Sequence, residues 1–351
     1  MLPLPDHEPL VVATRGDTVE SVHYGSIAVA DDAGRLLGFA GDTSAPTYTR
    51  SALKPLQALP FVLDGGPGRF GFDRRELALI CASHSGEDRH LASVAAILSR
   101  VGCTAVDLRC GTHMPVWYAA CGVPPPANIE LTSLHHNCSG KHAGFLAYCR
   151  LHDLPTEGYL DPAHPLQRRI AALAAEFAGG ALRSGTDGCG APNHAIPLPA
   201  LARFYARLAA DREGALGAAF AAIFEAMTGE PETVSGQCRP DAALMGIAPG
   251  DWVAKGGAEG VQAIGIRSRR LGIAIKISDG SAAALRVATA AVLLELGLVD
   301  EDRLPPDWAQ IELRNNAGRP VGRMQAVFAL KAGASADGQQ SVPTQPAQPK
   351  S

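Results

Sequence analysis

The sequence predicts an α+β fold in which one sheet draws strands from both ends of the chain, with a mainly helical segment inserted between them. β-like segments lie before residue 40, Ala/Leu-rich segments with a helical period fill the middle, and β-like segments return after residue 262. Strands on both sides of a helical block are most economically joined in one mixed or antiparallel sheet. We expect two lobes with a cleft between them; two sequential, independent domains are the alternative. The predicted sheet lobe comprises 1–60 and 240–333, the helical lobe 61–239, and a disordered tail 334–351.

The first part of the chain predicts an antiparallel hairpin followed by a helix. Residues 9–14 and 24–39 are rich in β-forming residues, and the turn sequence Asp31-Asp32-Ala33-Gly34 divides the second segment. From Ser51 the pattern is helical, and Pro55 fits only in the first turn of that helix. Further helices are predicted from a 3.6-residue period at 74–82, 88–101, 142–153, 165–178, 199–210 and 214–228.

The C-terminal part predicts strands around one more helix. Two β-like runs flank Ser268-Arg269-Arg270 within 263–280. A helix is predicted at 281–296, and strands near 309–314 and 323–331. The tail after these strands has Val342 as its one large apolar residue, which is typical of a disordered segment.

Composition excludes several classes of protein. The 351 residues carry 31 basic and 35 acidic side chains, a formal charge of −4, whereas nucleic-acid-binding proteins have a basic excess. No apolar run approaches the ~20 residues that span a bilayer. The N-terminal sequence has no basic segment followed by an apolar one, so we expect no signal peptide. The sequence therefore predicts a cytoplasmic protein without nucleic-acid or membrane partners.

Eight cysteines need an explanation. Without a secretory signal, reduced thiols are expected rather than disulfides. Cys81 and Cys149 lie in apolar stretches, where a free cysteine behaves as a small hydrophobic residue. Cys138 and Cys189 lie among glycines and polar residues. Because the chain has no CxxC pair, a metal site would have to be assembled from distant segments.

The sequence Ser51-Ala52-Leu53-Lys54 places a hydroxyl and an amine three residues apart. On a helix, such residues share a face. Lysine can accept the proton of a serine when burial or a nearby cation lowers the lysine pKa. This S-x-x-K pattern is the nucleophile motif of class A β-lactamases and penicillin-binding proteins. In the structural alternative, Ser51 caps the helix and Lys54 is a solvated residue of its first turn.

Two further polar segments lie at predicted helix starts. Residues 82–87 (ASHSGE) could place a hydroxyl in a cleft, or could cap the helix that follows. Residues 135–142 (HHNCSGKH) place Cys138 near a helix N-terminus, where the thiol pKa is lowered. A thiolate close to several histidines suggests zinc, and a helix-capping polar loop is the alternative.

Three glycine-containing segments complete the set of motifs. Residues 185–192 could present Asp187 and Cys189, but they lack the spacing of a phosphate-binding loop. Residues 255–260 combine a lysine and a glutamate with three glycines, which suits close approach of a substrate to the backbone or a plain turn. Residues 276–280 are most simply the end of a strand and the cap of a helix.

Taken together, these segments resemble the rhizobial-type L-asparaginases, the asparaginase II family. The resemblance runs from about Arg15 to Gly280. It implies a fold similar to serine β-lactamases and serine-dependent glutaminases, and hydrolysis of L-asparagine to L-aspartate and ammonia. The matching segments, in chain order, are TRGDTVESVHYG, RSALKPLQALP, ASHSGE, HHNCSGKHAGFL, TDGCGAP, AKGGAEGV and KISDG.

The resemblance also implies roles for individual residues. Two Ser–Lys pairs would carry catalysis, Ser51 with Lys54 and Ser83 with Lys255; Lys276 is the other candidate for the second lysine. A homodimer is expected as well.

Further roles concern a metal and the substrate. A zinc ion would be held by Cys138, Lys141 and Cys189, with water completing its coordination. The residues expected to bind or anchor substrate are Arg50, His142, Asp187 and Glu259.

Other functions remain open at this level. A serine β-lactamase or peptidase would use the same S-x-x-K pair. A glutaminase-like amidohydrolase would act on a substrate one methylene longer, which a pocket distinguishes by only ~1–3 kcal/mol. A non-catalytic zinc-binding regulator would need the cysteine site alone and would tolerate loss of Ser51.

Overall fold

A computed structural model describes residues 4–333, so the predicted tail, 334–351, lies outside the described residues. The strands are β1 Glu8–Arg15, β2 Thr18–Asp31, β3 Leu36–Ala40, β4 Thr47–Tyr48, β5 Arg183–Thr186, β6 Pro192–Ile196, β7 Trp252–Gly257, β8 Val261–Ile266, β9 Leu271–Ile277, β10 Gln310–Arg314, β11 Pro320–Ala326 and β12 Lys331–Ala332. The helices are α1 Lys54–Leu63, α2 Gly66–Phe70, α3 Arg74–Ile80, α4 Asp88–Arg100, α5 Val116–Cys121, α6 Ser139–Leu151, α7 Pro165–Ala178, α8 Leu198–Ala210, α9 Gly214–Gly229, α10 Pro231–Val234, α11 Pro240–Ile247 and α12 Ala282–Glu295. Short 3-10 turns lie at Arg50–Leu53, Ala105–Asp107, Ser133–His135 and Glu301–Arg303.

The main sheet joins the two ends of the chain. Its strand order is β10-β11-β1-β2-β9-β8-β7, with β3 paired to β2 and β12 paired to β3. All of these pairings are antiparallel, and the central one runs from Gly25 opposite Ile277 to Asp31 opposite Leu271. The predicted α+β fold, with one sheet built from both chain ends, is confirmed.

The predicted helices are confirmed with small shifts at their ends, and several short elements were missed. The turn 31–34 connects β2 and β3 as predicted, although β2 begins earlier, at Thr18. The missed helices α2, α5, α10 and α11 have four to eight residues, too few to show a clear helical period. Over residues 4–333, no helix has the length and apolarity needed to cross a membrane.

Helix α8 covers the main sheet, although it belongs to the predicted helical lobe; the boundaries of the two lobes stay a prediction. It packs on β2, β8 and β9. Gly265 and Gly272 are paired directly across β8 and β9. A Cβ atom at Gly272 would collide with the carbonyl group of Ala202, and one at Gly265 with that of Tyr205. Two facing glycines thus let the helix backbone approach the sheet.

A second, three-stranded sheet has the order β4-β6-β5 and is antiparallel. The sequence did not predict it, because β4 has two residues and β5 is a largely exposed segment without alternating apolar residues. The turn between β5 and β6 is closed by Asp187, whose amide donates to Ala191 O and whose carbonyl accepts from the Gly190 amide. This small sheet holds Asp187 and Cys189 next to the residues that precede α1.

One cysteine prediction is wrong. Cys121, at the end of α5, and Cys238, before α11, form a disulfide with their Cα atoms 5.5 Å apart. The other six cysteines are free and buried. The two cysteines are 117 positions apart, and nothing in the sequence indicates their proximity, which arises when both segments pack beside residues 83–87.

The close contact between α8 and the sheet predicts that Gly272→Ala destabilises the protein by about 1–3 kcal/mol, because the added methyl must displace backbone atoms. Urea unfolding followed by circular dichroism measures this change. Gly68→Ala is the matched control: a Cβ at Gly68 meets open space within α2, so the change should be neutral or stabilising by up to about 1 kcal/mol. Equal unfolding midpoints for the two variants would contradict the packing described here.

Candidate active site

The S-x-x-K segment lies in a tight turn before α1. Arg50–Leu53 forms a 3-10 turn, and Lys54 begins the helix with Pro55 in its first turn, as predicted. The residue before the turn is Thr49, and Ser51 makes no helix-capping hydrogen bond. The capping alternative for Ser51 is therefore not what the structure shows, and its half-buried hydroxyl has no hydrogen-bond partner within residues 4–333.

Arg50 adopts a backbone conformation that is rare for a residue with a side chain, with φ +50°. Its neighbours hold it there: the Arg50 amide donates to Asn193 Oδ1 at 3.1 Å, and Nε donates to Asp187 Oδ1 at 2.6 Å. Non-glycine residues in such conformations cluster at functional sites. The small sheet thus fixes the residue directly before Ser51.

Lys54 is buried, with 1% of its surface exposed. Its Nζ donates to Ser83 Oγ at 2.8 Å and to the carbonyl of Ala82 at 2.6 Å. The structure thus joins Lys54 to Ser83, whereas the predicted pairs were Ser51 with Lys54 and Ser83 with Lys255. Burial lowers the pKa of Lys54 to about 8; the charges of other lysines act in the same direction, and that of Cys138 opposes them.

Residues 82–86 form a buried segment, and Glu87, the last residue of the motif, precedes α4 and makes its capping box. The motif therefore does both: it buries the hydroxyls of Ser83 and Ser85 and caps the helix that follows. The Ser83 amide donates to Val234 O at 2.9 Å, and Ser85 Oγ donates to Ser235 O at 2.7 Å. The segment after α10 therefore fixes Ser83 against Lys54.

Lys255 lies on β7 and is as buried as Lys54. Its Nζ donates to Asp241 Oδ2 at 3.0 Å and to the Gly256 carbonyl at 2.9 Å. Burial alone would raise the pKa of Asp241, but the Lys255 ammonium holds it below its usual value. Lys276, the other candidate lysine, lies elsewhere, with its Nζ bonded to the carbonyl of Glu259.

Sequence reasoning missed Asp241. It lies in the first turn of α11, where an acidic residue is sufficiently explained by its favourable interaction with the helix dipole. Neither spacing nor composition relates it to Lys255, which follows fourteen residues later on a strand.

The three predicted zinc ligands lie together. Cys138 immediately precedes α6, Lys141 lies in its first turn, and Cys189 lies in the turn between β5 and β6. Lys141 Nζ donates to Cys189 Sγ at 3.1 Å. Interaction with the Cys189 side chain, more than any other cause, holds the pKa of Cys138 well below its ordinary value, and the nearby Lys54 and Lys141 ammonium groups act in the same direction. Over residues 4–333, no three His, Cys, Asp or Glu side chains are grouped as a metal site, so the set depends on Lys141.

His142 is buried beside this cluster. Its Nδ1 is hydrogen-bonded to Tyr159 Oη at 2.7 Å, and its Nε2 has no partner within the described part of the chain. Burial lowers the pKa of His142 to about 4, so the ring is neutral at pH 7.

The remaining predicted residues are charged groups around an open cleft of about 480 Å³. Glu259 Oε1 lies 3.9 Å from Arg50 Nη1, and Lys276 lines the same cleft. Asp187 binds Arg50 with one carboxylate oxygen, and its other oxygen lies 3.8 Å from Cys189 Sγ. Asp187 therefore connects the cleft with the cysteine cluster.

The solved structures that match this chain share little sequence identity with it. Mglu in its native form is 16% identical, with a TM-score of 0.45, and the match covers 79% of this chain and 66% of that one. A β-lactamase from Mycobacterium bovis is 17% identical, with a TM-score of 0.35 and coverages of 77% and 94%. A simvastatin synthase from Aspergillus terreus is 13% identical, with a TM-score of 0.28 and coverages of 76% and 90%.

These likenesses concern the fold alone and say nothing about activity. This chain spans just under two thirds of the Mglu chains, 66% of one structure and 61% of another. No curated protein matches the chain.

The family comparison covers nearly all of the described residues. The profile of the L-asparaginase II family matches residues 11–326, a range that contains the small sheet, nearly all of the main sheet, the Lys54–Ser83 contact and the cysteine cluster. The chain belongs to the L-asparaginase II family.

Proposed function

We propose that this protein hydrolyses L-asparagine to L-aspartate and ammonia through an acyl-enzyme formed on a serine. The family supports an amidohydrolase. The single observation that carries the mechanism is the buried Lys54 amine, hydrogen-bonded to Ser83 and lying on the same turn as Ser51. A lysine without a carboxylate partner in a buried position suits the role of general base.

Ser51 is the better placed nucleophile. Its side chain is half-buried and follows Arg50, which lines the cleft, whereas Ser83 is 4% exposed. A neutral amine has two N–H groups and one lone pair. If Lys54 donates to Ala82 O and Ser83 Oγ, the lone pair is left for the proton of Ser51.

The proposed reaction has two stages, acylation of Ser51 and hydrolysis of the resulting ester. Ser51 Oγ attacks the side-chain amide carbon and its proton passes to Lys54 Nζ. Lys54 returns the proton to the amide nitrogen as the C–N bond breaks, and ammonia leaves. Water next attacks the ester carbon with Lys54 again accepting a proton, which then returns to Ser51 as the ester bond breaks and aspartate leaves.

The charged groups at the cleft match an amino-acid substrate. The α-carboxylate of asparagine would face the Arg50 and Lys276 cations, and its α-ammonium would face Glu259. Asp187 would orient Arg50 through their hydrogen bond, and His142 would support the site as a neutral buried ring.

Zinc is part of the proposal. Cys138, Lys141 and Cys189 offer two sulfurs and an amine, with Lys141 Nζ 3.1 Å from Cys189 Sγ. Thiolate sulfur is a preferred zinc donor, and the Lys141 amine would have to lose its proton to bind the ion. Zinc held there would supply a fixed positive charge that adds to those of Arg50 and Lys276 in orienting the α-carboxylate of the substrate. A homodimer and a cytoplasmic location stay predictions.

Ammonia release from asparagine, glutamine and a β-lactam control tests the proposed activity. We expect asparagine to be hydrolysed about 10–200-fold faster than glutamine in kcat/KM, because one extra methylene must be accommodated. The β-lactam should not be opened. Faster turnover of glutamine would instead favour a glutaminase, and opening of the β-lactam without ammonia release from asparagine would favour a β-lactamase.

Metal analysis of the purified protein tests the zinc site. About one zinc per chain is expected, falling to about a tenth or less in Cys138→Ser and Cys189→Ser, because each change removes a thiolate ligand. Cys149→Ser is the matched control, since Cys149 is a free, buried cysteine of the same helix as Lys141 and should not alter zinc content. Zinc at the wild-type level in both ligand variants would refute this assignment.

A further inference from the structure

We propose that Asp241 is a positioning residue for the hydrolysis: its carboxylate fixes the ammonium group of Lys255 toward the reacting serines. This inference rests on the proposed function and adds a residue to the same site. It assigns the two buried lysines different tasks, with Lys54 exchanging protons and Lys255 remaining a fixed hydrogen-bond donor.

Both oxygens of the Asp241 carboxylate are in use. Oδ2 accepts from Lys255 Nζ at 3.0 Å, and Oδ1 accepts from the Gly256 amide at 2.7 Å and from Gln262 Nε2 at 3.4 Å. The carboxylate thus binds both the side chain of Lys255 and the backbone of the residue after it. Because Asp241 is 4% exposed, water does not compete for these contacts.

Within residues 4–333, these contacts leave one N–H group of Lys255 without a partner. A lysine ammonium has three N–H groups. Two of those on Lys255 are taken by Asp241 and by the Gly256 carbonyl. The third is available for a hydroxyl or for a developing oxyanion, and a fixed donor at such a place stabilises the transition state.

Strand β7 directs Lys255 toward the site. Alternate residues of a strand share a face, so Lys255 and Gly257 point to the same side. Gly257 lies against Thr49 and Arg50, since a Cβ there would come within 2.6 Å of Thr49 O and 3.2 Å of Arg50 Cβ. The face of β7 that carries Lys255 is therefore the face that contacts the turn holding Ser51.

The position of Asp241 is not explained by its own helix. In the first turn of α11 its carboxylate could bond helix amides, but its contacts within the described residues go to β7 and β8 instead. The two buried lysines also differ in partners, because Lys54 contacts a hydroxyl and a carbonyl, whereas Lys255 contacts a carboxylate.

Asp241→Asn tests the proposal, because it keeps the shape and removes the charge. With asparagine, kcat should fall by about 10–100-fold, as is typical for residues that orient a functional group from behind, while KM stays within about threefold. Glu76→Gln is the matched control. Glu76 is a buried carboxylate of α3 that pairs with Arg100 at the end of α4. Its variant should therefore lose thermal stability but keep kcat.

A double variant, Asp241→Asn combined with Lys255→Met, separates positioning of Lys255 from a general structural effect of the Asp241 substitution. If Asp241 acts through Lys255, adding Asp241→Asn to Lys255→Met lowers kcat no further and raises Tm, because an unpaired buried carboxylate is removed. Should Asp241→Asn not fold, Asp241→Glu carries the test, with lower kcat and unchanged KM expected from the displaced carboxylate.

Wild-type kcat in Asp241→Asn, or in Asp241→Glu where that variant is needed, would overturn the role of Asp241, as would an additive loss in the double variant. Wild-type protein assayed in parallel distinguishes failure of the positioning role from failure of the proposed activity. Absence of ammonia release by the wild type would refute the proposed function, whereas an active wild type with an unaffected variant would refute only the positioning role.

Discussion

Burial of the Lys54 amine is the constraint on which the rest of the site depends. An ionisable group taken from water is unfavourable unless its polar atoms are bonded. Lys54 meets this condition through the carbonyl of Ala82 and the hydroxyl of Ser83. The segment after α3 must therefore lie against the start of α1, and its contacts with residues 234 and 235 hold it there.

The same segment connects the site to distant parts of the chain. Residues 236–238 pack against 85–87 and carry Cys238, which is bonded to Cys121. Three residues later, Asp241 binds Lys255 on β7. The main sheet thus supplies one lysine, the helical region supplies the other, and the small sheet supplies Asp187 and Cys189. The side chains of the site are therefore brought together by the packing of these elements and not by any single motif.

Much of this arrangement could be predicted from the sequence. The strand–helix–strand order predicted the sheet built from both chain ends, and the segments around Ser51, Ser83 and Cys138 identified the family. Long helices were placed well because their apolar period is regular. The small sheet was missed because its strands are too short for a periodic signal.

Side-chain partners were harder to predict than elements. The Lys54–Ser83 contact, the Asp241–Lys255 pair and the Cys121–Cys238 bond join residues 29, 14 and 117 positions apart. Such contacts depend on how helices and loops pack, which a single sequence does not encode as a local pattern. Ser51 and Lys54 were paired by their spacing and by the resemblance to the family, and neither reveals that Lys54 donates a hydrogen bond to Ser83.

Trapping the acyl-enzyme tests the central claim most directly. Wild-type protein, Ser51→Ala, Ser83→Ala and Lys54→Met are mixed with asparagine, quenched in acid, and analysed by intact-protein and peptide mass spectrometry. The account predicts an aspartyl group on the peptide that contains Ser51, its absence in Ser51→Ala, and acylation slowed by about 10²–10⁴-fold in Lys54→Met through loss of the general base. An aspartyl group on the Ser83 peptide, or acylation of Lys54→Met at the wild-type rate, would contradict it.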